Sequence, residues 1–104
     1  MDSINCYYDK DNARWMAELK GEIDIYSAAE FKKALNSAFE EKIDDLYLDC
    51  KELSYMDSTG LGVLIGALKR IKEQDKNIYL KNLKPNVMKL FLITGLDKIF
   101  ILEG

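Results

Sequence analysis

Leu46-Tyr47-Leu48-Asp49-Cys50, followed shortly by Ser54-Tyr55-Met56-Asp57-Ser58-Thr59-Gly60-Leu61-Gly62-Val63, is the stretch that decides the architecture. Leu46, Leu48 and Cys50 alternate with Tyr47 and Asp49, which is the period of a core strand. After an expected loop, Leu61, Leu64, Ile65, Leu68 and Ile71 recur at helical spacing and predict an amphipathic helix over about residues 58–73. A strand that feeds a helix is half of a βαβ unit. Its join lies at the carboxyl edge of the sheet, where open α/β sheets place their functional sites.

Working upstream, residues 4–8 and 14–20 read as a strand pair joined by a turn from Asp9 to Asn12. Trp15, Ala17 and Leu19 share one face of the second strand, and Arg14, Glu18 and Lys20 share the other. Gly21 is expected to end that pattern before Glu22-Ile23-Asp24. Ser27 and Glu30 have the S-x-x-E spacing of a capping box. Ala28, Phe31, Leu35, Ala38 and Phe39 then form a buried stripe on a helix that ends near Glu41.

Downstream, Ile78, Leu80 and Leu83 mark another strand. Pro85 stands at a first helical position and Gly95 just past a helix end, with Val87, Met88, Phe91 and Leu92 as the inward face. Ile99 to Leu102 is either a short last strand or an extended tail. The order predicts an α/β fold: a mixed four- to five-stranded sheet with parallel central strands and helices packed on it. Nothing resembling a linker or repeat interrupts the chain, so one domain over residues 1–104 is expected.

The 104 residues include 48% apolar and 32% charged side chains, the balance of a globular domain. A net charge of −3 argues against a surface built for nucleic acid. Lys69, Arg70, Lys72 and Lys76 cluster, but on the polar side of a predicted helix, so they read as a solvated face. No apolar run approaches the ~20 residues that span a bilayer, and the first residues carry no secretory pattern. Cys6 and Cys50 are too few for a disulfide framework and read as free thiols in a reducing cytoplasm. Histidine is absent, which removes His-dependent triads and the usual zinc sites.

Within the central join, Gly60, Gly62 and Gly66 each cost about 1 kcal/mol relative to alanine in a helix interior. For Gly66 the expected reason is close packing on the sheet. For Gly60 and Gly62, close packing and a bare backbone open to a partner both remain. Ser58, or else Asp57, is an N-cap candidate; Ser58 is also a candidate phosphoacceptor. A phosphate there adds about −1.5 to −2 charge beside Asp57, at a helix N-terminus that tolerates anions.

Other chemistries fit poorly. Gly60, Gly62 and Gly66 miss the dinucleotide spacing by one residue, and no Walker A run or G-x-S-x-G elbow is present. Asp49 lacks the acidic pair and late lysine of a phospho-aspartate receiver. Neither a nucleotide-binding protein nor a receiver-like phosphocarrier gains support.

Three segments carry a resemblance: Gly21-Glu22-Ile23-Asp24-Ile25-Tyr26-Ser27-Ala28, Asp57 to Gly62, and Leu90-Phe91-Leu92-Ile93-Thr94-Gly95-Leu96. In that order and spacing the chain resembles the STAS domain over its whole length. It is most similar to the free-standing anti-sigma factor antagonists, of the general stress-response rather than the sporulation type. One departure is that the chain stops soon after Leu102, whereas many relatives continue into a further helix.

The resemblance implies a cytoplasmic binding protein, monomeric when alone, that is no enzyme and needs no cofactor or metal. Its unphosphorylated form would bind an anti-sigma factor with serine kinase activity and so release a sigma factor, which it touches only indirectly. Phosphorylation of the serine matching Ser58 would break the complex, and a PP2C-type phosphatase would restore it. The implied partner surface joins Asp24 and Tyr26 to Asp57, Thr59, Gly60, Leu61 and Gly62. For Asp24 a turn or capping role stands equally, and Thr59 is either a second phosphoacceptor or a buried or capping hydroxyl. The alternative is a STAS scaffold subunit of a stress-sensing or lipid-transport complex.

Overall fold

The computed structural model describes residues 3–103. β1 (Ser3–Asp9) and β2 (Arg14–Ile23) form an antiparallel hairpin in which Tyr8 faces Trp15 and Ile4 faces Leu19. The Asp9 carboxylate closes the turn by accepting from the N–H groups of Asp11 and Asn12, and Ala13 takes the left-handed conformation before β2. α1 (Ala28–Glu41), β3 (Asp45–Met56), α2 (Ser58–Lys72), β4 (Ile78–Lys81), α3 (Pro85–Thr94), a 3-10 turn at Leu96–Lys98 and β5 (Ile101–Glu103) follow.

The sheet has the order β1-β2-β3-β4-β5, antiparallel in the first pair and parallel thereafter. Each crossover therefore steps in the same direction, and right-handed crossovers then put every helix on one face. Burial follows that rule. Trp15, Ala17, Leu19, Leu46, Leu48, Cys50, Ile78 and Leu80 point into one core with Phe31, Leu35, Leu64, Ile71 and Phe91 from the helices. Cys50 is a free thiol within it, its pKa pushed up to about 12 by burial and secondarily by Asp49.

The opposite face has no helical cover. Tyr7, Met16, Tyr47, Tyr79 and Ile101 lie in register across it. Tyr47 and Tyr79 stack at 4.2 Å, and the Arg14 guanidinium sits 4.2 Å over Tyr47. At the amino edge of the sheet, buried Asp44 accepts from the Tyr8 hydroxyl at 2.7 Å and meets Lys76 at 3.5 Å.

Four expectations change. β2 continues past Gly21 to Ile23: two register shifts absorb the glycine, which adopts φ 96°. A glycine inside a strand pattern marks such an irregularity as readily as an end. β3 runs to Met56, so the expected loop shrinks to Asp57 alone. Beyond Cys50 its buried residues are Leu53 and Met56, three apart, so the alternation that betrays a strand is lost. Leu83 lies outside β4, and Leu92 is 53% exposed rather than inward, leaving Val87 and Phe91 as the buried side of α3. The last segment is a strand, paired parallel to β4.

The glycines of α2 divide against expectation as well. A Cβ on Gly60 would stand 2.8 Å from both Ile23 Cγ2 and Met56 Cγ, whereas a Cβ on Gly62 or Gly66 would meet nothing within 4 Å. Gly60 is the close-packed one, and Gly66 lies open at the surface. Gly60→Ala is therefore expected to be less stable than Gly62→Ala by about 1–3 kcal/mol, the cost of overpacking once the shared helix-propensity gain cancels. Urea unfolding of the two variants beside the parent measures this difference, and equal midpoints would contradict it.

Candidate functional site

β2 and β3 are parallel neighbours, so the segments that follow them emerge side by side at the carboxyl edge of the sheet. Ile23 pairs with Met56, and the Asp57 N–H donates to the Ile23 carbonyl at 3.1 Å. The two stretches singled out in the sequence, Asp24–Ser27 and Asp57–Gly62, are thereby one surface.

In the first of them Asp24 organises a tight turn. Its carbonyl accepts from the N–H groups of Ser27 (3.1 Å) and Ala28 (2.8 Å), and its Oδ1 accepts from Tyr26 N–H at 2.9 Å. Asp24 thus has the turn role, which still leaves it at the surface beside Tyr26. Ser27 does not form the expected capping box. It is buried, and its hydroxyl donates to the Glu22 carbonyl at 3.0 Å and accepts from Asp24 N–H, bonds that turn it away from the helix, whose N–H groups it does not cap. The turn presents Ile25 (68% exposed) and Tyr26 (93% exposed) to solvent. Adjacent exposed apolar side chains form the kind of patch that marks an interaction site, and aromatic ones anchor protein interfaces.

The second stretch settles which residue caps α2. Asp57 is extended, at φ −109° and ψ −173°, and its Oδ1 accepts from Thr59 N–H at 3.0 Å and Gly60 N–H at 3.3 Å. The Thr59 hydroxyl also donates to that oxygen. Thr59 is therefore exposed and tied to the cap, not buried. The Thr59 hydroxyl, followed by the backbone N–H groups of Gly60, Thr59 and Ile25, holds the Asp57 carboxyl below its ordinary value. Because Asp57 does the capping, Ser58 need not. Its side chain is exposed in the first turn, and no intramolecular hydrogen bond engages its hydroxyl among the described residues.

Gly60 and Leu61 face inward, so neither offers a side chain at the surface. Gly62 does lie open, and with Gly66 it floors a shallow groove of about 370 Å³ between α2 and Lys32 and Asn36 of α1. Three contributors escaped the sequence reading. Ile25 and Tyr55 (46% exposed) flank the site, but apolar residues at strand ends read as core. Asn86, from the first turn of α3, reaches the same edge by donating to the Ser54 carbonyl at 2.8 Å.

Chemically, the edge offers a free serine hydroxyl, two carboxylates, exposed tyrosine side chains and bare helix backbone. Among the described residues no group of three or more His, Cys, Asp or Glu side chains is arranged to hold a metal. No helix there is long and apolar enough to cross a membrane. The arrangement suits docking against another protein and modification of a serine.

Comparison with known proteins agrees on the fold. The sequence model of the STAS domain matches residues 9–103. An anti-sigma-B factor antagonist of Staphylococcus aureus is 38% identical over 85 residues, covering 81% of this chain and 79% of its own. An anti-sigma-factor antagonist (STAS) domain protein from Planctomyces limnophilus superposes with a TM-score of 0.85 at 14% identity, over 100% of this chain and 91% of that one. The Bacillus cell fate determinant SpoIIAA in its phosphorylated form gives a TM-score of 0.75 at 20% identity, over 98% and 92%.

The Asp57 cap carries a pH signature. A carboxyl whose pKa falls on folding contributes stability that is full above its unfolded value, ~3.9, and is lost as pH falls through the lower folded value. Asp57→Ala is accordingly expected to unfold at lower urea than the parent at neutral pH, with the gap closing as pH drops below ~3.9. Urea titrations at several pH values test this; a gap that persists undiminished in acid would assign the loss to something other than the carboxylate.

Proposed function

The chain belongs to the STAS domain family, and from that membership we propose that it acts as an anti-sigma factor antagonist switched by phosphorylation of Ser58. In its unmodified form it binds an anti-sigma factor that is also a serine kinase, and so frees a sigma factor it does not itself touch. The kinase modifies Ser58 and the complex dissociates; a PP2C-type phosphatase reverses the step. The protein works in the cytoplasm, as a monomer when alone, and catalyses nothing.

The observation that carries this reading is the division of labour at the start of α2, where Asp57 caps and the Ser58 hydroxyl is left exposed. A kinase can take that hydroxyl without dismantling a cap. The added phosphate does not find the helix N-terminus vacant, because Asp57 already holds the N–H groups of Thr59 and Gly60. About −1.5 to −2 charge therefore stays at the surface, beside the Asp57 and Asp24 carboxylates. The fold is retained while the docking face becomes more negative.

The contacts assigned to the partner are Asp24, Tyr26, Asp57, Ser58, Thr59 and Gly62, with Ile25 and Tyr55 added from their exposure. Tyr26 is the anchor candidate. Gly60 acts from beneath, seating the helix start on Ile23 and Met56, and Leu61 is buried in the core.

Incubation with a serine-kinase anti-sigma factor and ATP, followed by intact-mass and peptide analysis, is expected to add one phosphate on Ser58 and to abolish the complex. Ser58→Asp should keep the parent's melting temperature and bind the partner about 100-fold more weakly, the scale of like-charge juxtaposition in an interface. Ser58→Ala should bind and resist inactivation. No phosphate from a demonstrably active kinase would favour the scaffold reading, and a Ser58→Asp chain that unfolds would return Ser58 to a structural role.

A further inference from the structure

The lysine cluster that reads as a solvated helix face in the sequence borders something the sequence does not reveal. At the end of α2 far from Ser58, Leu68, Lys69 and Lys72 face Lys98, Ile99, Phe100 and Ile101 across an open groove of about 410 Å³, with Asn77 at its end. The lining is mainly apolar, with buried Leu68 and Phe100 beside exposed Ile99 and the start of β5 at Ile101. Lys69, Lys72 and Lys98 rim it. A solvated face accounts for lysines on α2, but not for the apolar floor or for a third lysine contributed by a separate element.

The rim is a cationic spot on an anionic protein. Among the described residues the ion pairs are Arg14–Asp9 and Lys76–Asp44, so none of the three rim lysines meets a carboxylate. Lys72 is held by the neutral Asn77 side chain instead. The groove leads into β5, the edge strand, which among the described residues pairs only with β4 and has no strand partner on its outer side. A polypeptide can use those groups; an acyl chain cannot.

We propose that this groove docks an acidic, amphipathic segment of a partner protein, its apolar side chains on Leu68, Ile99 and Phe100 and its carboxylates against Lys69, Lys72 and Lys98. The site lies at the opposite end of α2 from Ser58, about 20 Å along the helix axis at 1.5 Å per residue. It is independent of the phosphorylation reading and can be occupied whichever state Ser58 is in.

The test uses the full chain, isotope-labelled, titrated with a synthetic twelve-residue peptide in which Leu and Glu alternate, the amphipathic pattern of an added strand. Saturable amide shifts are expected at Leu68, Asn77, Lys98, Ile99 and Phe100, weakening as salt rises because exposed charges are screened. The double variant Lys69→Gln/Lys98→Gln should bind about tenfold more weakly with an unchanged melting temperature. The proposal is overturned if no saturable shift occurs, if shifts centre on the Ser58 end, or if a Lys-for-Glu peptide binds equally well. It is likewise overturned if the double variant binds as the parent does, or if decanoate fills the groove and the peptide does not.

Discussion

The hydrogen bond from the Asp57 N–H to the Ile23 carbonyl, at 3.1 Å, holds the functional edge together. It prolongs the parallel pairing of β2 and β3 one step past Ile23 and Met56. Everything at that edge is referenced to it: the Asp24 turn leaves from one side, the capped start of α2 from the other. Gly60 is required because the helix begins so close to this rung that a methyl group would strike Ile23 and Met56. The glycine serves the strand pairing first and the surface only through it.

Each short polar residue at this edge has one task, and the tasks do not overlap. Asp24 closes a turn, Ser27 is buried beneath it, Asp57 caps the helix, and Thr59 fixes the cap. A cap residue saturated by two N–H groups and a hydroxyl is poorly placed to change state. The neighbouring serine, with no bond to lose, is the group whose modification costs the fold least. The capping role that sequence alone left between Asp57 and Ser58 thus falls to Asp57 and leaves the Ser58 hydroxyl exposed.

The fold was legible because its signals were periodic. Alternation at 46–50 and helical spacing at 61–71 and 28–39 each report one face of one element, and the one-directional strand order follows from them. Legibility failed where a second constraint overrode the period. The register shifts near Gly21 and the three-residue spacing of Leu53 and Met56 disguised the ends of β2 and β3. Ser27 and Glu30 match a capping box, yet Glu22 and Asp24 compete for the serine and win. Gly66 was misassigned, and Gly60 and Gly62 were left open, because a sequence carries the number of glycines and not which side of the helix meets the strands. The exposed Ile25 and Tyr55 carried no signal, since burial of an apolar residue at a strand end depends on what lies beyond it.

Many modified serines sit in unstructured tails, where any local sequence suffices. Here the hydroxyl is displayed by a helix whose first turn rests on a pairing between strands more than thirty residues apart in register. Such contacts form late, because the intervening chain must be closed first. A nascent or damaged chain that has not joined β2 to β3 has no composite edge to recognise. The surface therefore acts as a certificate of completed folding, present only in chains whose β2 and β3 have joined.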